Sequence, residues 1–171
     1  MRGVETISAA GAFAEARTFV EDAYRARRLD DATVEHPQDV ARLLEESGQR
    51  ETLILAGLLH DLLEDTAVTA AELHERFGPE VTGLVEALTQ DPTIDDYQER
   101  KAALRAQVLS SGRDAATVAL ADKAAKLERE TERPRQRRLD HYRATLEGIE
   151  HHFGPSPLSE RLRRDLARFS A

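Results

Sequence analysis

The sequence predicts an all-α fold, and three observations carry that prediction. Ala, Leu, Glu and Arg, all strong helix formers, fill the periodic stretches, while aromatic residues are only 5% of the 171. Apolar residues recur at helical spacing almost throughout, and no segment alternates apolar with polar residues between hairpin turns. Helical start and stop signals cut the chain into about eight or nine helices with short breaks between them.

The first helix is expected over 8–28. The second starts at His36-Pro37, where a proline in the first turn gives up an N–H that has no helical partner, and stops before Gly48. The third covers 51–65 and is almost wholly apolar over 53–59, which marks it as the central buried helix. Thr69 and Glu72 form a capping-box pattern that opens a short helix ending at Gly78, and a second short helix follows over 79–89. After the break at 90–93, helix resumes over 95–110. Asp114 can cap a helix running to 132. Pro134 separates it from one reaching His152, and the Gly154–Pro157 break precedes a last helix over 158–169. There is no internal repeat, low-complexity tract or long linker, so 1–171 reads as one domain.

Composition narrows the function classes. Hydrophobic residues are 40% of the chain, enough for a core without covalent staples. The absence of cysteine removes disulfides, thiolate metal ligands and cysteine nucleophiles. A formal charge of −8 argues against nucleic acid or an anionic membrane surface as a partner. The longest apolar run is far short of a bilayer span, and the N-terminus lacks the apolar core of a signal peptide. The expected setting is the cytoplasm, and the exposed faces of an Ala/Leu-rich bundle permit a homodimer.

Chemistry concentrates in a few ionisable residues that end apolar runs. His60, Asp61, Glu64 and Asp65 follow the oiliest stretch of the chain. On a continuous helix, His60 and Glu64 share a face, as do Asp61 and Asp65. A His-Asp dipeptide alone reads as an ordinary exposed helix end, but directly after that apolar run casual exposure is disfavoured. His36 opens the second helix, and Asp122 closes another apolar helical run. Together His36, His60, Asp61 and Asp122 offer two imidazoles and two carboxylates from three helices. Such a mixed nitrogen/oxygen set suits manganese, iron or zinc, with positions left over for water. An ion of this kind supports phosphoester hydrolysis. Glu64 and Asp65 could then orient the water and move its proton.

The order of a histidine before proline, then His-Asp, Glu-Asp-Thr and Ala-Asp-Lys resembles the HD-domain superfamily, in particular its RelA/SpoT-type alarmone hydrolases. The stand-alone small alarmone hydrolases and their animal homologues are the nearest in pattern. LLHDLLEDTAVTAAELHERFGPEVTGLVEALT, QERKAALRAQV and LDHYRATLEGIEHHFG carry the resemblance. It implies a compact helical bundle of the HD type with a bound Mn²⁺, other divalent ions being alternatives. The implied reaction removes the 3′-pyrophosphate of guanosine tetra- or pentaphosphate (ppGpp or pppGpp). By position, His36, His60, Asp61 and Asp122 match the family's metal ligands, and Glu64 and Asp65 its catalytic acidic pair. Arg27 and Arg28 resemble its basic pair, Lys101 its ERK lysine and Tyr142 a tyrosine near the nucleotide. On 171 residues, the synthetase and regulatory modules of the long members are not expected.

Two departures bear on the substrate. Ala125 and Lys126 stand where the family has a ring and an asparagine that helps hold the nucleoside. Lysine accepts no hydrogen bond but can hold phosphate as a point charge. The segment before His36 is also shorter than usual, and Glu35 replaces a commonly neutral residue. The alternatives are therefore the same chemistry on another phosphorylated nucleotide, such as the 2′-phosphate of NADPH, or a nucleotide-sensing domain without turnover. His74, His151 and His152 read as surface residues.

Overall fold

The computed structural model describes residues 9–28 and 31–170. Among these the regular structure is nine helices: α1 (Ala9–Arg27), α2 (Asp31–Glu46), α3 (Glu51–Leu59), α4 (Leu62–Asp65), α5 (Ala70–Leu88), α6 (Tyr97–Ser110), α7 (Arg113–Glu128), α8 (Gln136–Phe153) and α9 (Pro157–Ala167). The expected start of the first helix at position 8 lies outside the described residues. Among the described residues, no helix is long and apolar enough to cross a membrane.

The centre is shared by two helices where the sequence pointed to one. α3 is buried from Leu55 to Leu59 and packs on α1, α2, α5 and α7. α7 packs on α2, α3, α5, α6, α8 and α9, and its alanines at 115, 116, 119, 121, 124 and 125 are all nearly or fully buried. Those small side chains let six neighbours approach one axis, which a leucine-rich helix would not. One apolar cluster surrounds α7, and a second lies between α1, α3 and α5.

Among the boundaries that differ from the sequence expectation, four bear on the site and its frame. α2 begins at Asp31, five residues before His36, so Pro37 lies inside the helix rather than in its first turn. The buried stripe His36, Pro37, Val40, Ala41, Leu43 and Leu44 holds that segment on the core, and this packing outweighs the backbone bond that proline forfeits. The third expected helix is broken at His60 and Asp61 into α3 and α4. α7 is preceded by Gly112 at φ 100°, not capped by Asp114, which instead pairs with Arg50 at 2.6 Å. It ends at Glu128, short of 132.

The capping box forms as expected: Thr69 Oγ1 accepts from the Glu72 N–H at 3.3 Å, and Glu72 Oε2 accepts from the Thr69 N–H at 3.1 Å. α5 then kinks at Gly78 (φ 81°, ψ 171°), the boundary placed there by its glycine and Pro79.

Gly57 sets the α2–α3 spacing. A Cβ built there would stand 2.5 Å from Leu44 Cδ1 and 3.2 Å from Val40 Cγ1, both on fully buried side chains. Gly57→Ala is therefore expected to cost about 1–3 kcal/mol by overpacking. A lowered Tm checks this; an unchanged Tm would mean the two helices separate freely.

Candidate metal centre

The break between α3 and α4 builds half of the site. In a straight helix, successive side chains diverge by roughly 100°, and a local change of backbone at the break alters that angle. Here Asp61 sits at φ −95°, ψ −3°, between the helices. His60 Nε2 and Asp61 Oδ2 come within 3.0 Å. Leu58, Leu59 and Leu62, each no more than 2% exposed, anchor the backbone on both sides.

The other half comes from α2 and α7. His36 Nε2 lies 2.9 Å from Asp122 Oδ1, and His60 Nε2 lies 3.2 Å from the same oxygen. His36 and Asp61 approach to 3.9 Å. One ligand atom from each of His36, His60, Asp61 and Asp122 falls within 4.8 Å of the others, so the structure brings all four expected ligands together.

The donor set fits a divalent cation. His60 Nδ1 donates to the Gly57 carbonyl at 2.8 Å, which leaves the lone pair on buried Nε2, an atom with no hydrogen-bond partner. That atom faces two carboxylate oxygens, an arrangement of acceptors that needs a positive charge among them. Burial favours the neutral His60 imidazole, but Asp61 and Asp122 outweigh it and raise its pKa to about 10, so a proton competes with a divalent ion for Nε2. Burial would raise both carboxyls. Instead His60 and Lys126 hold Asp61 below the usual range, and Lys126, Lys123 and the two histidines hold Asp122 well below it. His36 moves the other way: burial lowers it, against the pull of Asp122.

Glu64 and Asp65 lie on α4 beside this cluster. His60 and Glu64 line one cavity, and the Glu64 carboxylate turns to Gln90. Its Oε1 accepts from the Gln90 backbone N–H at 2.7 Å and its Oε2 from Gln90 Nε2 at 2.8 Å. Burial of the carboxyl end raises the Glu64 pKa, while the Gln90 N–H opposes the rise. Asp65 is raised as well, by burial and then by the Asp61 charge.

A cavity of about 300 Å³ opens from the cluster. Lys101, Lys126 and Tyr142 line it, and so do Tyr97, Lys123, Arg138 and His141. Lys101 Nζ donates to Gln90 Oε1 at 2.9 Å, so Gln90 bridges this lysine to Glu64. Burial raises Tyr142 to about 12. Arg27 and Arg28 stand exposed at the end of α1, outside the lining of this cavity. Arg27 reaches the site only through its field, which lowers the Asp65 pKa.

Gln90 and His141 were not singled out by sequence reasoning. His141 is 4% exposed, and Arg105 Nη1 donates to its Nδ1 at 3.0 Å. Because a guanidinium only donates, the His141 proton must reside on Nε2. Burial, then Lys123, Lys101 and Arg105, depress its pKa to about 2, so it is a neutral donor. The available signal was its place beside Tyr142 in the segment that carried the resemblance. His74, His151 and His152 are exposed, as expected.

Comparison with known proteins agrees with this geometry. The chain is 38% identical over 122 residues to the human guanosine-3′,5′-bis(diphosphate) 3′-pyrophosphohydrolase MESH1, covering 68% of each chain. It is 37% identical over 94 residues to the enzyme of the same activity name from Aquifex aeolicus, 55% of this chain but 14% of that protein. The chain thus spans only a small part of such long relatives. Among solved structures, that of a metazoan SpoT ortholog described as hydrolysing ppGpp superimposes with a TM-score of 0.75 at 26% identity, over 94% of this chain and 96% of the other. The lmo0812 protein of Listeria monocytogenes superimposes with a TM-score of 0.70 at 28% identity, over 80% and 96%. The HD domain family model matches residues 16–147, a span that includes the His60-Asp61 pair, and the chain belongs to the HD domain family.

Proposed function

We propose that this chain is a divalent-metal-dependent pyrophosphohydrolase that removes the 3′-pyrophosphate of guanosine 3′,5′-bispyrophosphate in the cytoplasm, with Mn²⁺ as its ion. The observation that carries the reading is the convergence of His36, His60, Asp61 and Asp122 on one point, beside a cavity lined by cations. The likeness to the MESH1 proteins supplies the substrate class.

His36, His60, Asp61 and Asp122 would hold the ion, which when bound supplies Lewis acidity to the reacting phosphoryl group and water. Lys101, Lys123 and Arg138 hold the negative charge of the pyrophosphate against the cavity wall. Tyr97 and Tyr142 offer ring faces to the nucleoside. Glu64, fixed by two donors from Gln90, orients the attacking water and takes its proton. Glu64 then passes that proton to the departing 3′ oxygen, while Asp65, the other half of the acidic pair, stands outside the lining of the cavity. Water adds to phosphorus, the ester bond to that oxygen breaks, and pyrophosphate and a nucleoside 5′-diphosphate leave.

Protein stripped with chelator should release no pyrophosphate from ppGpp, recover on Mn²⁺ addition, and stay inactive as Asp61→Asn. Turnover that survives chelation, or survives in Asp61→Asn, refutes the metal reading. The lysine at 126 favours testing other phosphorylated nucleotides alongside, NADPH among them. Release from one of these with none from ppGpp moves the assignment to that substrate.

A further inference from the structure

Lys126, the residue that departs from the family pattern at the site, reaches the cluster itself. Residues 122 and 126 are four apart on α7, so the helix presents the ammonium directly to the carboxylate. Lys126 Nζ lies 2.8 Å from Asp122 Oδ1 and 4.0 Å from Asp61 Oδ2. Asp122 Oδ1 is the oxygen that His36 and His60 also face, at 2.9 and 3.2 Å. The other cavity cations stay off that oxygen. Lys123 approaches the opposite oxygen, Oδ2, at 3.5 Å, Lys101 donates to Gln90, and Arg138 pairs with Glu130. A carboxylate oxygen already accepting from an ammonium gives less electron density to an ion, and the fixed charge repels that ion.

We propose that Lys126 is a resident cation of the metal centre that lowers the affinity of this chain for divalent ions, rather than an anchor for substrate phosphate. The proposal rests on reading the four-residue cluster as a metal centre. It assigns the substitution at 126 to control of metal occupancy. A chain built this way holds its two carboxylates together through its own charge and fills the centre only at higher ion concentration.

Lys126→Met keeps the apolar stem and removes the charge, whereas Lys126→Arg keeps the charge. Mn²⁺ affinity is read from the rise of Tm with Mn²⁺ concentration at fixed pH, starting from chelated protein. The linkage relation yields Kd from the rise above the Tm of the same variant in chelator. Lys126→Met should bind Mn²⁺ at least about tenfold more tightly than wild type, with a lower Tm in chelator, and Lys126→Arg should stay within about threefold. The KM for ppGpp at saturating Mn²⁺ should change by less than about threefold in Lys126→Met. Unchanged or weakened Mn²⁺ affinity in Lys126→Met overturns the proposal, and unchanged affinity with a KM raised tenfold or more assigns the lysine to phosphate. A wild-type protein whose Tm does not respond to Mn²⁺ overturns the metal-centre reading itself.

Discussion

Replacing Asp122 with asparagine is expected to abolish tight Mn²⁺ binding and to lower kcat/KM by roughly 10³-fold or more. Asp122 meets His36, His60 and Lys126 through Oδ1 and Lys123 through Oδ2, whereas Asp61 meets only the first three. The same substitution leaves Lys123, 5% exposed, and the partly exposed Lys126 without their nearest anion. Breaking a buried ion pair from one side costs about 3–5 kcal/mol. The variant should therefore also melt well below wild type in chelator. Metal content after desalting, together with Tm, checks both halves. An Asp122→Asn protein that retains stoichiometric Mn²⁺ would place the ion elsewhere.

Glu64→Gln is expected to separate chemistry from binding. Its carboxylate is held by Gln90 and not by the four-residue cluster, so Mn²⁺ affinity and the KM for ppGpp should stay near wild type. Loss of a positioned general base costs roughly 10²–10⁴-fold in kcat. The pH dependence follows from the direction of the shift. Burial raises the Glu64 pKa above its ordinary 4.5, and the base works only when ionised. The wild-type rate should fall as pH drops through that raised value, and the limb should be absent in Glu64→Gln. A variant with near-normal kcat would remove Glu64 from the proton path.

His60, Asp61 and Asp122 were legible because they follow apolar runs, His36 because it stands before Pro37 at an expected helix start, and the order of the four matched a known pattern. How they meet was less legible. The sequence suggested a continuous helix through His60 and Asp61, since nothing local in Leu-Leu-His-Asp-Leu-Leu forbids one. The break serves a point in space defined by Asp122, 61 residues further along the chain. Gln90 could not be found from its neighbours, because it matters only once the break after α5 brings it against Glu64. His141 was hidden for a different reason: its role depends on Arg105 taking one ring nitrogen, a fact of the α6–α8 contact. The start of α2 was misplaced because a proline rule about backbone donors was set against burial of a whole helix face, and burial prevailed.

The interruption at His60 and Asp61 has a bearing on how changes in this chain would be sorted by phenotype. Leu58, Leu59 and Leu62 carry no reacting atom and touch the chemistry only by fixing the two residues between them. Shaving methyl groups from them would loosen the aim of an imidazole and a carboxylate before it unfolded the bundle. A mutational screen scored on turnover would thus return leucines beside the histidines, while one scored on abundance would rank the same leucines with the rest of the interior. The distance between those two rankings, position by position, would trace how far the oily framework sets the aim of the polar one.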